Sequence, residues 1–171
     1  VLHPRRRKAL RVREQIESGI RNYFKSEGFH EVRTPLLVPN PGMEPHIRPF
    51  AVESWDRSLK FSRFLPTSPE FAMKKLLVGG FEKIFQLAPS FRHEPVSNTH
   101  LPEFLMLEWY RAFSDLEAIQ RDTERLIESL AVSQFGEALI PYLDKKINVQ
   151  TPWPRLRTRD LFLEHAQVDL V

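Results

Sequence analysis

The chain of 171 residues carries 25 Lys and Arg against 22 Asp and Glu, a formal net charge of +3, with 42% hydrophobic and 27% charged residues. Such a composition suits one soluble globular domain with a sizeable core, and no apolar run is long enough to span a membrane. There is no cysteine, which excludes disulfide and thiolate chemistry and leaves a cytoplasmic location as the expectation.

Residues 4–27 place Leu10, Ile16, Ile20, Tyr23 and Phe24 at helical spacing and predict an amphipathic helix. Gly28 is placed to end it in a left-handed conformation. Arg5, Arg6, Arg7 and Lys8, with Arg11 and Arg13, make its start basic; a solvated helix start is favoured over a contact with nucleic acid or an acidic protein. Residues 29–37 predict a strand that Pro35 confines to an edge or an interface. Asn40-Pro41-Gly42 marks a loop, and residues 50–64 hold one or two short strands. Ser68 is placed as an N-cap, with Pro69 at the first helical position and Gly79-Gly80 closing the helix. Residues 84–90 form the next strand. Ser114 and Glu117 have capping-box spacing and open a helix to about residue 134, with Leu116, Ile119, Leu126, Ile127 and Leu130 on its buried side. Residues 136–154 read as Pro-rich and irregular, and Thr158 caps a last helix over 159–166.

Residues 91–110, FRHEPVSNTHLPEFLMLEWY, carry the most chemistry. They predict a strand, a polar loop over 95–102 and a returning strand. Side chains at i and i+2 of a strand project together, so Arg92 and Glu94 are expected on one face. On the return, Phe104, Met106, Glu108 and Tyr110 share a face. A guanidinium can hold a phosphate by paired hydrogen bonds, an aromatic face can stack on a base, and a carboxylate beside a phenol can hold an ammonium group. A nucleotide together with an amino acid is a natural guest. Each residue also has a plainer reading: Arg92 as one half of a surface ion pair, Phe104 as core, Glu70 as a first-turn acid complementing the helix dipole. Glu108 is the hardest to dismiss, because an acid among Leu105, Met106, Leu107 and Trp109 needs a cation or hydrogen bonds. The six His show no metal-ligand spacing, and there is no glycine-rich phosphate loop of the Walker type.

FRHE followed by HLPEFLMLEWY resembles motif 2 of the class II aminoacyl-tRNA synthetases, lysyl subgroup. GFHEVRTP at 28–35 resembles the end of motif 1, with Pro35 at a homodimer interface, and TSPE at 67–70 with the stretch that follows resembles the segment reading the amino acid. The wording TSPE, MKKLLV and MLEWYR is most similar to the lysyl-tRNA synthetase paralogs that attach lysine or β-lysine to translation elongation factor P. The resemblance covers about residues 11–130. It implies an α+β (α/β) fold: a class II antiparallel sheet flanked by helices, forming part of the catalytic domain across residues 1–171. It also implies a ligase that uses ATP, with Mg2+ accompanying the ATP, to activate lysine or a lysine analogue as an adenylate for elongation factor P. The alternatives are a lysyl-tRNA synthetase fragment acting on tRNA, and an inactive binding or dimerisation module.

By the same resemblance Arg92 is the catalytic residue, binding the ATP α-phosphate and the substrate carboxylate, and stabilising the charge that develops between them. Glu94 accepts from the adenine amino group, Phe104 stacks on adenine, and His100 holds the β- or γ-phosphate. Ser68 and Glu70 belong to the amino-acid pocket, Glu70 taking the α-amino group. Glu108 and Tyr110 take the side-chain ammonium. Two departures stand out. Leu101 occupies the place where lysyl enzymes carry an ATP-contacting Asn, and nothing in residues 136–171 resembles motif 3 or the acidic residues before it. The chain is therefore expected to hold motifs 1 and 2 only, and to be unable to complete adenylation alone. The motif 1 helix begins almost at residue 1, without the anticodon-binding barrel of true lysyl-tRNA synthetases, which favours the paralog.

Overall fold

The structure is a computed structural model that describes residues 3–56, 58 and 62–170. The chain packs as two compact units, Val1–Asp115 and Leu116–Val171. The fold is α+β, with helices flanking mainly antiparallel strand pairs. Among the described residues no helix is long and apolar enough to cross a membrane.

The first unit opens with α1 (Pro4–Ser26). Proline stands at its start, where the missing N–H costs nothing, and His3 Nδ1 accepts from the Arg5 amide. Only the last turns are buried, through Ile20, Tyr23 and Phe24. Leu10, expected on the apolar face, is exposed. Gly28 ends the helix at φ +79°. Its amide donates to the Lys25 carbonyl, and the Phe29 amide donates back to Phe24. That is a Schellman closure, which needs a residue free to adopt positive φ.

The strand expected over 29–37 shrinks to β1 (His30–Glu31). Val32 still donates to Phe85, but the chain then leaves the sheet. Pro35 has no N–H to offer a ladder and lies exposed. A short antiparallel pair follows, β2 (Ala51–Glu53) with β3 (Ser62–Phe64). Helix α2 (Glu70–Val78) starts one residue later than the sequence suggests. Pro69 takes the cap position, and the Ser68 hydroxyl accepts from the Glu70 amide at 3.4 Å. Gly79 closes the helix, as expected.

Two nine-residue strands form the centre of the unit, β4 (Lys83–Phe91) and β5 (Glu103–Arg111). They pair antiparallel without a slip, from Lys83↔Arg111 to Phe91↔Glu103. β1 adds to the other side of β4 in parallel, giving the order β1-β4-β5. One sheet face meets α1. Phe24, fully buried, stacks on Phe85 with centroids 4.9 Å apart. It meets Phe29 edge-on at 5.0 Å and lies 5.4 Å from Trp109. Aromatic burial of this kind dominates the energetics of a small core. Further along the same face, Leu87, Leu105 and Leu107 line an apolar groove of about 650 Å³ with α1.

The second unit begins with α3 (Leu116–Phe135). The capping box does not form as expected. The Ser114 hydroxyl donates to the Ala112 carbonyl, and Leu116 is exposed rather than buried. Residues 136–154 are not irregular throughout: β6 (Leu139–Tyr142) and β7 (Lys145–Asn148) make a hairpin. Leu143 adopts φ +53° in its turn, a position usually held by Gly or Asn, so the turn had no sequence signal. The unit is held on α3 by Glu124, buried, which accepts from both terminal nitrogens of Arg155 at 3.0 Å and from the Trp153 amide at 2.8 Å. These bonds hold its carboxyl below the usual range. Helix α4 (Thr158–Ala166) closes the chain, with Arg157 rather than Thr158 in the cap position.

Candidate functional site

Strand alternation sends Phe104, Met106, Glu108 and Tyr110 to the sheet face opposite α1. Their partners across the β4 ladder are Ser90, Ala88, Gln86 and Ile84, all buried. The Thr34 hydroxyl donates to Gln86 Oε1 on this face. The face is therefore held by an unbroken register, which a one-residue slip would invert.

The clearest electrostatic arrangement lies at the Glu108 end. The Tyr110 hydroxyl donates to Glu108 Oε1 at 2.5 Å. Burial pushes the Glu108 carboxyl up, aided by the nearby negative charge of Glu70 and opposed by the bond from Tyr110 and by Lys74. Burial likewise pushes the Tyr110 phenol up, and the charge on Glu108 adds to it. Two carboxylates thus sit close enough to sense one another in a partly dry place. Glu70 projects from the first turn of α2, and one turn on, Lys74 places its ammonium 2.5 Å from Glu70 Oε1. The structure joins Glu108 to Tyr110 directly, leaves Glu70 within electrostatic range of both, and adds Lys74 at Glu70. The Glu70–Lys74 spacing of four was visible in the sequence; the approach of α2 to β5 was not.

At the other end, the Arg92 guanidinium lies over the Phe104 ring, 5.3 Å from its centroid, a cation–π distance. Its Nε donates to the Thr67 carbonyl at 3.4 Å. Thr67 and Ser68 are brought there because Phe91 donates to the Pro66 carbonyl at the end of β4. Arg92 and Glu94 do not share a strand face. β4 ends at Phe91, and the Glu94 amide turns back to the Arg92 carbonyl. His100 stays within its own loop, with Nδ1 at 3.1 Å from Ser97 Oγ and 3.0 Å from Thr99 Oγ1. Among the described residues no side-chain hydrogen bond or ring contact joins Glu94 or His100 to Arg92 or Phe104. Leu101 is exposed beside them.

Chemically, this face offers a guanidinium seated on an aromatic ring at one end and two carboxylates with a phenol at the other. Such a surface suits an elongated guest with a phosphate and a flat ring at one end and an ammonium at the other. Among the described residues no group of three or more His, Asp or Glu side chains is placed to ligate a metal.

The chain is similar to several lysine–tRNA ligases. The lysine–tRNA ligase of Histophilus somni is 38% identical over 160 residues, which are 94% of this chain and 31% of the relative. That of Pseudomonas aeruginosa is 41% identical over 159 residues, 93% of this chain and again 31% of the relative. That of Psychrobacter cryohalolentis is 39% identical over 161 residues. The chain spans about a third of the length of these curated relatives. The family model described as tRNA synthetases class II (D, K and N) matches residues 1–169, so the chain belongs to the class II tRNA synthetases.

Proposed function

We propose that the protein activates lysine, or a close analogue such as β-lysine, as an aminoacyl-adenylate at the expense of ATP. The observation that carries this reading is the Glu108–Tyr110 pair standing beside Glu70, on the same strand face as the Arg92–Phe104 stack. Lysine has two ammonium groups and one carboxylate. In this reading Glu70 takes the α-ammonium, and Glu108 with Tyr110 takes the side-chain ammonium. The substrate carboxylate and the ATP α-phosphate meet at Arg92, with adenine against Phe104. A carboxylate oxygen attacks the α-phosphorus, the bond to the β-phosphate oxygen breaks, and pyrophosphate leaves. Arg92 stabilises the negative charge that builds on the phosphoryl oxygens. Glu94 and His100 would join the ATP only after the 95–102 loop rearranges, since that loop now closes on itself through Ser97 and Thr99. Magnesium enters this reading only as the companion of the ATP phosphates, and no step is assigned to it.

For the acceptor, the wording of residues 67–78 and 106–111 favours a lysine side chain on elongation factor P. A second reading, transfer to tRNA, rests on the relatives, which carry the name lysine–tRNA ligase. In either case the activity is that of a two-subunit enzyme, with the Pro35 region proposed as the interface. The deciding experiment is pyrophosphate exchange with ATP and a panel of amino acids, by this chain and by a form extended to the stop codon of its gene. Exchange that depends on lysine or β-lysine supports the reading. No exchange by either form, with ATP or lysine still bound, would leave a nucleotide- or amino-acid-binding module. Incubating the charged enzyme with elongation factor P or with tRNA then separates the two acceptors.

A further inference from the structure

The site contains a cation that the reading above leaves without a task. Lys74 Nζ sits 2.5 Å from Glu70 Oε1, one helical turn along α2. An i,i+4 pair on a helix surface is usually a minor stabiliser, and Lys74 is half-exposed. Its surroundings are less usual. The bond to Glu70 raises its affinity for a proton, and the charge of Glu108 adds to that effect, so it stays cationic wherever the pocket works. Lys74 therefore pairs with the Glu70 carboxylate and lies within electrostatic range of the Glu108 carboxylate, the two groups proposed to receive the ammonium groups of the substrate.

The count of charges gives this a consequence. With Glu70 and Glu108 ionised, the two carboxylates alone would best suit a dication. With Lys74 among them the cluster carries one net negative charge, which matches an amino acid of net charge +1. A diamine of the same length carries +2 and has no carboxylate for Arg92. We propose that Lys74 is a specificity-determining residue of this pocket. Its fixed ammonium lowers the attraction for diamines more than for lysine, and so biases the site toward a ligand that brings its own carboxylate. This rests on the assignment of Glu70 and Glu108 to the substrate's ammonium groups. The sign follows from Coulomb's law alone: removing a positive charge favours the ligand of higher positive charge, whatever happens to both affinities together.

The test is titration calorimetry on the full-length gene product with L-lysine and with cadaverine (1,5-diaminopentane). Lys74→Met removes the charge at nearly constant length, and Lys74→Arg keeps it. The ratio of the lysine to the cadaverine Kd is the readout, because a purely structural role would change both constants together. Lys74→Met is expected to shift that ratio toward cadaverine by about three-fold or more, as expected for one charge at this range in a wet site. Lys74→Arg is expected to hold it near the unaltered value. A ratio unchanged in Lys74→Met, or shifted toward lysine, overturns the proposal. Glu70→Gln, measured alongside, tests the reading beneath it. If lysine affinity is indifferent to Glu70, or the unaltered protein binds no lysine, the pocket assignment itself is wrong and the proposal falls with it.

Discussion

Tyr110 and Glu108, two positions apart on β5, are joined by a hydrogen bond of 2.5 Å from the phenol to the carboxylate. The bond fixes the carboxylate's orientation and leaves its second oxygen for a ligand. Burial nevertheless holds the carboxyl above the ordinary 4.5, so the ionised form that can receive an ammonium is expensive in the empty protein.

Glu108→Gln should therefore weaken lysine binding by about ten-fold or more, roughly 1.4 kcal/mol. That is less than the 2–5 kcal/mol of a fully desolvated pair, because this one is only partly buried. Lysine affinity of the unaltered protein should fall as pH drops through a window lying above 4.5, and the variant should not show that loss. The sign for stability is opposite. A carboxyl whose folded pKa is raised favours folding below that window and opposes it above, so Glu108→Gln should melt at the same temperature as the parent or higher at pH 7. Unchanged lysine affinity places Glu108 outside the pocket.

Arg92→Ala should abolish adenylate formation in the full-length protein and leave the fold intact, since Arg92 sits at a strand end and touches Phe104 and a carbonyl. Exchange within a factor of about ten of the parent, roughly 1.4 kcal/mol, rules out a role in stabilising the developing charge.

Phe24→Ala should cost about 3–5 kcal/mol, the range for deleting a buried aromatic ring. Phe24 is fully buried and is the one ring that meets Tyr23, Phe29, Phe85 and Trp109 together among the described contacts. The denaturant midpoint measures it. A loss of less than about 1 kcal/mol would mean that the surrounding rings close the gap.

Glu124→Ala should lower the melting temperature, because it strands the Arg155 guanidinium and the Trp153 amide that Glu124 now accepts from. Its carboxyl titrates below 4.5, held there first by Arg155 and then by the Trp153 amide. A depressed carboxylate contributes stability above its unfolded pKa and loses it as pH falls through the folded one. The parent and Glu124→Ala should therefore converge in stability on acidification below 4.5, as the pH falls through the lowered folded pKa. A difference that persists undiminished at pH 2 would assign the loss to packing instead.

Much of this architecture was legible in the residue pattern, and the failures have local causes. The period-2 run from Phe104 to Tyr110 is a strand with the expected face, because each apolar or functional side chain repeats every second position. The end of α1 was announced by Gly28, since little else takes positive φ cheaply. The expectation for Arg92 and Glu94 failed because a strand boundary is set by tertiary bonding, here Phe91 to Pro66, which no local spacing encodes. The β6–β7 hairpin was hidden because Leu143 turns the chain where Gly or Asn would have signalled it. For Lys74 the cause is different. Its spacing to Glu70 was plain, yet its importance depends on where α2 stands beside β5, and that is a long-range fact.

The unbroken pairing of β4 with β5 also makes the site a ruler. Phe104 and Tyr110 are six residues apart on an extended strand, about 20 Å at the usual rise, and nothing in the ladder bulges to shorten that distance. A free lysine would extend from the Tyr110 end to Arg92 without covering Phe104, and a base would cover Phe104 alone. A molecule that joins the two, with a phosphate between, has the length to touch both, and its affinity should exceed what either half shows alone. The strand would then select for the product of a joining reaction by measuring it.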